Sequence, residues 1–139
     1  MKTFKRFVAR AADDAPPPKR RQRAEADDAQ ADDASFGHLE AALVRDIADY
    51  LRMLGWHVVV FSTYKRIPAS IAGWPDIVAF MRDCVLLVEC KVGRCALRPS
   101  QVAFRERISP HCGQHVRYIV ARTIDDVMRA VESMMYPHE

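Results

Sequence analysis

Two acidic residues and a lysine, Asp76, Glu89 and Lys91, are the residues of this sequence best suited to carry out chemistry. Carboxylates held side by side repel each other unless a cation lies between them. Their oxygen atoms suit Mg²⁺ or Mn²⁺ better than zinc. A lysine beside such a cation can hold an attacking water or neutralise negative charge that develops on a phosphate. The three residue types therefore predict metal-assisted hydrolysis if the fold brings them together.

A predicted hairpin provides that arrangement. The runs Asp76–Met81 and Cys84–Lys91 are rich in apolar residues and are separated only by Arg82 and Asp83. This pattern predicts two antiparallel strands joined by a two-residue turn. A turn of this kind without Gly or Asn is strained at positive φ, so a longer loop with the register shifted by one residue stays open.

In the two-residue register, Asp76 lies directly opposite Glu89. Lys91 emerges on the same face as Glu89, whereas the Cys90 side chain points to the opposite face. An ordinary cross-strand ion pair at the rim of the sheet is the alternative. The residues between these positions are apolar on both faces, however, which is typical of a buried central hairpin, where charged side chains rarely lack a function. We therefore favour the catalytic interpretation.

The rest of the sequence predicts an α/β domain around this hairpin. Apolar positions recur at helical spacing before Gly55, which favours a helix that begins near Ser35 and ends at this glycine. The predicted order of elements, α-β-β-β-α-β-α, implies a mixed central sheet flanked by helices. These elements are a helix over 36–54, strands over 56–64, 76–81 and 84–91, a helix over 99–108, a strand over 116–121 and a helix over 124–135.

Composition limits the chain to one modest domain. It has 139 residues and a formal net charge of +3, which is too weak to prove a nucleic-acid partner.

Residues 11–34 contain no Leu, Ile, Val, Met or aromatic residue, so we predict a disordered tail over 1–34 and a single domain over 35–139. No apolar run is long enough for a membrane span or a secretory signal. With 4 cysteines and no zinc-finger spacing, we expect reduced thiols, no structural zinc, and a location in the cytoplasm of a bacterium or phage-infected host.

The motif Gly73-Trp-Pro-Asp76, followed by Glu89-Cys-Lys91, resembles the signature of the PD-(D/E)xK nucleases. The wider pattern is similar to their virus-type replication-repair nuclease (VRR-NUC) branch. This resemblance implies a restriction-endonuclease-like core that uses Mg²⁺ or Mn²⁺ to hydrolyse DNA phosphodiester bonds without a covalent intermediate. The elements that carry the wider resemblance are Glu40, Gly55 with Trp56, Gly73 to Asp76, Leu87 to Lys91, and Gln101.

The same resemblance implies the metal ligands. Asp76 and Glu89 would bind the metal, with the backbone carbonyl of Cys90 as a third ligand. Glu40 would reach the metal from the first helix, either directly or through a water molecule.

It also implies the residues that act around the metal. Lys91 would orient or activate the nucleophilic water, and Gln101 would help to position that water or Lys91. Basic residues near the site suit a phosphate backbone, although each one taken singly is also a common surface charge. The candidates for contact with DNA are Lys65, Arg66, Arg94 and Arg98.

Stand-alone members of this branch resemble Holliday-junction resolvases and commonly act as homodimers. The resemblance therefore implies branched or duplex DNA and a second copy of the chain as partners, with neither a membrane nor a small-molecule cofactor. A catalytically idle nucleic-acid-binding or adaptor module on the same fold is the alternative, and the intact set of site residues argues against it. A sequence-specific restriction-type nuclease is a third possibility, for which the chain leaves little room.

Overall fold

The computed structural model describes residues 27–61 and 72–136, and it describes side chains from residue 36 onward. Its elements follow the predicted order, with one short 3-10 helix added after the second α-helix. None of the described helices is both long and apolar enough to cross a membrane. The elements are α1 (Asp27–Met53), β1 (His57–Val60), β2 (Ile77–Met81), β3 (Cys84–Cys90), α2 (Pro99–Ile108), the 3-10 helix Ser109–His111, β4 (Val116–Ala121) and α3 (Ile124–Met135).

The four strands form one mixed sheet in the order β1-β2-β3-β4. The pairs β1–β2 and β2–β3 are antiparallel, and the pair β3–β4 is parallel. A parallel pair requires a crossover connection, and the segment that contains α2 supplies it. The predicted α/β fold is therefore confirmed, as a mixed sheet with flanking helices consistent with a restriction-endonuclease-like core.

The β2–β3 turn has the predicted two-residue length. Met81 pairs with Cys84, and the ladder continues to the pair of Ile77 with Val88. Arg82 adopts φ of 53°, so the strain expected of a turn without Gly or Asn is present, and the strand pairing outweighs it. The unshifted register is confirmed, and its continuation sets Asp76 opposite Glu89.

Two element boundaries differ from the prediction. Helix α1 begins at Asp27, so the predicted start near Ser35 was wrong. The extra turns contain Asp and Ala. Ala has the highest helix propensity and acidic residues are favourable near a helix N-terminus, so a helix can form here without an apolar face to bury. Strand β1 ends at Val60, and the last residues of its predicted range lie outside the described residues. The disorder predicted for residues 1–26 also lies outside them, and the domain division near residue 34 stays a prediction.

The hydrophobic core lies on one face of the sheet, between the sheet and the helices α1 and α3. It includes Ile47 and Leu51 of α1, Val88 and Cys90 of β3, and Val127 of α3, each with no exposed surface. The Cys90 side chain thus points away from the carboxylates, as predicted. The other face is packed against α2, where the ring of Phe104 lies 5.3 Å from Trp74 and 6.0 Å from Tyr118, measured between ring centroids.

The segment that precedes Asp76 packs tightly against the first turn of α2. Gly73 adopts φ of +81°, and a Cβ atom at this position would overlap the backbone carbonyl of Ser100. Only glycine permits both this backbone conformation and this close approach. Because Ser100 precedes Gln101, the contact also fixes the distance between the Asp76 strand and the Gln101 helix.

We predict that Gly73→Ala lowers the free energy of unfolding by about 2–4 kcal/mol, through left-handed strain and overpacking. The matched control is Gly113→Ala, because a Cβ atom at Gly113 meets no atom within 4 Å. Urea unfolding followed by circular dichroism measures both variants. Equal effects of the two substitutions would contradict the assigned contact.

Candidate active site

The structure buries three of the residues that the sequence analysis assigned to chemistry. Glu89 has no exposed surface, Lys91 is 4% exposed and Gln101 is 5% exposed, and they are the buried polar residues of the described part of the chain. Glu89 belongs to β3, Lys91 follows directly after it, and Gln101 lies in the first turn of α2. Burial of an acid and a base needs compensation by specific partners.

The two oxygen atoms of Glu89 have different surroundings. The Gln101 side-chain amide donates a hydrogen bond to Oε1, and the Lys91 Nζ atom lies 3.3 Å from the same oxygen. Oε2 is buried and, among the described residues, has no hydrogen-bond partner. An unpaired carboxylate oxygen in the interior costs free energy, and a bound cation would satisfy it.

Asp76 is held against β3 by its own carboxylate. Its Oδ2 atom accepts a hydrogen bond from the Cys90 backbone N–H at 2.8 Å. Partial burial raises the pKa of Asp76, and the hydrogen bond from Cys90 is the largest opposing effect. The nearby Glu40 carboxylate also raises this pKa, whereas Lys91 lowers it. Asp76 therefore lies close to the charged groups of Glu40 and Lys91, as its predicted place in the site requires.

The pKa of Glu89 is raised to about 8, first by burial and second by the charge of Asp76. Lys91 counteracts this shift without removing it. Two neighbouring carboxylates of this kind hold a proton near neutral pH when no other cation is present. A divalent metal ion would displace that proton, so the pair is suited to bind one.

Glu40 reaches the site from α1 as predicted, and the group that it contacts is Lys91. Its Oε1 atom lies 3.7 Å from the Lys91 Nζ atom, so the ammonium group lies between Glu40 and Glu89. The ligand atoms of Glu40, Asp76 and Glu89 do not converge as a trio within 4.8 Å of one another. The geometry thus fits a role of Glu40 that acts on Lys91 or through a water molecule better than direct metal ligation.

Gln101 is fixed by the start of its helix. Its side-chain oxygen accepts a hydrogen bond from the Arg98 backbone N–H at 2.8 Å, and Pro99 at the first helical turn suits this helix start. The side-chain amide then points at Glu89. The described side-chain amide contact of Gln101 is with the Glu89 carboxylate, and its predicted role in positioning a water molecule or Lys91 stays a prediction.

The predicted DNA-contacting residues are partly described. Arg94 and Arg98 are exposed in the loop between β3 and α2. Arg98 lies close enough to Asp76 to lower the pKa of that carboxyl group. Lys65 and Arg66 lie outside the described residues.

Sequence reasoning missed Arg122, which follows β4. Its guanidinium group donates hydrogen bonds to the carbonyl of Gly93 at 2.7 Å and to the carbonyl of Cys95 at 2.9 Å. It therefore clamps the loop that connects Lys91 to α2. Arg122 could have been found only from the register of the parallel β3–β4 pair, because that pairing brings the end of β4 beside this loop.

Tyr118 of β4 was also missed. Its hydroxyl group is buried and, within the described residues, has no hydrogen-bond partner. Burial and the nearby Glu89 carboxylate raise the pKa of Tyr118 to about 12, so this group is a neutral donor at the edge of the site. Strand alternation on β4, combined with the β3 register, would have placed it on the Glu89 face.

The donor set of the site fits a divalent cation bound through oxygen. Asp76 and Glu89 would hold such an ion, and the unpartnered Glu89 Oε2 atom is the observation that supports this fit. Carboxylate oxygens favour Mg²⁺ or Mn²⁺ over zinc. The carbonyl of Cys90 remains a predicted third ligand.

One comparison with known families bears on this geometry. Residues 40–101 match the family described as archaeal Holliday junction resolvase (hjc). The matched segment begins at Glu40 and ends at Gln101, so it spans all of the predicted catalytic and metal-binding residues. The chain is thus similar, over this segment, to a nuclease family of the PD-(D/E)xK superfamily, and the narrower VRR-NUC relationship stays a prediction. No curated protein is significantly similar to the chain.

We predict a pH signature of Glu89 in protein kept free of metal by EDTA. The pKa of Glu89 in the native protein, about 8, lies above the ordinary value of 4.5 for a glutamate. The stability that this group contributes is therefore fully present below about pH 4.5 and is lost as the pH rises towards 8. Glu89→Gln removes that loss. The difference in melting temperature, wild type minus variant, should therefore be lower at pH 8 than at pH 5 by about 5 °C or more. Thermal unfolding measures the difference.

The control for this experiment is Glu132→Gln, which changes an exposed glutamate on α3. Its melting temperature relative to the wild type should not change with pH over the same range. A flat difference for Glu89→Gln as well would show that Glu89 is ionised normally in the native protein.

We predict that Arg122→Ala loosens the loop that follows Lys91. Loss of two charge-assisted hydrogen bonds should speed amide hydrogen exchange in residues 93–98 by roughly tenfold or more. Arg129→Ala is the matched control, because Arg129 is an exposed arginine whose ion pair is with Asp126 of its own helix. Exchange measured by mass spectrometry that is unchanged in Arg122→Ala would exclude the clamp.

Proposed function

We propose that this protein is a metal-dependent DNA endonuclease that hydrolyses phosphodiester bonds and selects branched DNA, above all four-way junctions, in repair, recombination or replication. The observation that carries this proposal is the buried Glu89 carboxylate. One of its oxygens is held by Lys91 and Gln101, the other is unpaired, and Asp76 lies beside it. The match of residues 40–101 to the resolvase family supports the same conclusion.

Each residue of the site has a distinct part in this chemistry. A bound Mg²⁺ or Mn²⁺ would supply Lewis acidity and neutralise charge on the phosphate. Asp76 and Glu89 would hold the ion, and Gln101 orients the Glu89 carboxylate so that its Oε2 atom is available. The ammonium group of Lys91 can donate a hydrogen bond to the attacking water or to a phosphate oxygen. The Glu40 Oε1 atom, 3.7 Å from the Lys91 Nζ atom, helps to direct the ammonium group into the site.

The surroundings of the site suit a nucleic-acid backbone. The loop after β3 carries the exposed Arg94 and Arg98, and Arg122 holds this loop in place. Arginine contacts with phosphates would position DNA over the carboxylates without reading its sequence. This arrangement favours selection by the shape of the DNA.

Cleavage of a four-way junction in two strands requires two active sites. The described part of the chain contains one site of this kind, so we propose that the protein acts as a homodimer, as the resemblance to the VRR-NUC branch implies. Each copy would then cut one strand.

We predict that purified protein cuts a synthetic four-way junction with Mg²⁺ or Mn²⁺ and not with EDTA. Glu89→Gln and Lys91→Ala should each lower the cleavage rate by about 100-fold or more while binding of the junction is kept. The matched control, Glu132→Gln, lies on α3, which packs on the core face of the sheet, and should cut like the wild type. Labelled junction, flap, single-stranded and linear duplex DNA form the substrate panel.

The panel separates the parts of the proposal. Cleavage of flaps or duplex in preference to junctions would keep the mechanism and overturn the resolvase specificity. Full activity in Glu89→Gln or Lys91→Ala would overturn the site. Binding of DNA without any cleavage, together with no Mn²⁺ binding by calorimetry, would favour the idle adaptor module.

A further inference from the structure

We propose that the hairpin end of the sheet holds a second metal site, for a zinc-like borderline-soft divalent cation. Its ligands are Asp83, Cys84 and His115, whose ligand atoms all lie within 4.8 Å of one another. They form the one such group of three among the described side chains. The carboxylate site described above does not include any of them.

The backbone holds these three residues together. Cys84 is the first residue of β3, and Asp83 belongs to the turn before it. The Val85 backbone N–H donates a hydrogen bond to the His115 carbonyl at 2.7 Å, at the point where the parallel β3–β4 ladder begins. Residues 84 and 115 therefore lie side by side at the starts of two paired strands, which gives the group a rigid base.

The side chains already point at one another. The His115 Nδ1 atom lies 2.9 Å from Asp83 Oδ2, and the Cys84 thiol contacts Asp83 Oδ1 at 3.9 Å. Zinc binds thiolate sulfur, imidazole nitrogen and carboxylate oxygen at about 2.0–2.3 Å, so the ligand atoms of a tetrahedral site lie about 3.3–3.8 Å from one another. The two separations in this group are close to that range. Small rotations of Asp83 and His115, which are 71% and 56% exposed in their side chains, would open room for an ion.

The ligand types distinguish this group from the carboxylate site. Sulfur together with imidazole nitrogen selects zinc-like ions over Mg²⁺, whereas Asp76 and Glu89 offer only oxygen. The two places are also far apart, since the length of β3 between Cys84 and Glu89 spans about 17 Å. The two sites can therefore be filled independently.

A cavity of about 180 Å³ adjoins the group, and its further lining residues are Arg82, Gln114 and the methionines Met81, Met134 and Met135. Three protein ligands leave a fourth position of a tetrahedral ion open, and this cavity gives a water molecule access to it. A bound ion would connect the β2–β3 hairpin to the start of β4. We therefore expect it to stabilise the native protein.

The test is a titration of the full chain with Co²⁺, a spectroscopic substitute for zinc, followed by competition with Zn²⁺. The titration uses the Glu89→Gln variant with excess Mg²⁺, which suppresses binding at the carboxylate site. Binding to Cys84 should give a sulfur-to-cobalt charge-transfer band in the near ultraviolet, and Zn²⁺ should remove it and raise the melting temperature.

Two substitutions and one control assign the ligands. Cys84→Ser should abolish the charge-transfer band, and His115→Gln should weaken Zn²⁺ binding by roughly tenfold or more. The matched control is Cys112→Ser, because the Cys112 thiol donates to the Ile108 carbonyl and lies outside the group. Cys112→Ser should bind like the parent.

A missing band, or a band that Cys84→Ser leaves intact, would overturn the proposal. Equal loss of binding in Cys112→Ser would overturn it as well, because binding would then not depend on this group. These outcomes are independent of the proposed nuclease activity, since the measurement is made without DNA and in a variant of Glu89.

Discussion

The burial of a carboxylate on the central strand is the constraint around which the rest of this structure is arranged. Glu89 has no exposed surface, and an isolated charge in that position would be strongly unfavourable. Lys91 and Gln101 compensate one of its oxygens, and the other is left without a partner. The unpaired oxygen makes the native state less stable, and the same oxygen can bind a cation. Such local destabilisation is common at functional sites.

The sequence was sufficient to predict the parts of the site that depend on one local pairing. A two-residue separation between two apolar runs predicted the register of the hairpin and the entry of Cys90 into the core, and the structure agrees on both. Asp76 opposite Glu89 is the continuation of that register beyond the pair of Ile77 with Val88. Strand alternation and hairpin length are short-range properties, so they can be read from neighbouring residues. The bounds of α2, β4 and α3 agreed with the prediction for a similar reason, because Pro99 marks the start of α2 and the apolar periodicity defines the others.

Contacts between distant segments could not be predicted in this way. The Arg122 clamp on the loop after β3, and the neighbouring positions of Cys84 and His115, both depend on the parallel β3–β4 pair. The order of β3, α2 and β4 favours a parallel pair, but no local pattern gives its register, on which these two contacts depend. The start of α1 was misplaced for a different reason, since its first turns consist mainly of Asp and Ala, which form a helix N-terminus without the apolar periodicity that the prediction relied on.

The parallel pair also determines when the site is completed during synthesis. Translation delivers the β2–β3 hairpin first, and β4 emerges from the ribosome only after the whole crossover has been made. Until then the Lys91 backbone N–H lacks its acceptor, the Ala121 carbonyl at 3.0 Å, and the loop after it lacks Arg122. The hydrogen bond from Lys91 and the Arg122 clamp can therefore form only after residues 121 and 122 have been synthesised, so the buried arrangement is completed about thirty residues after Lys91 itself.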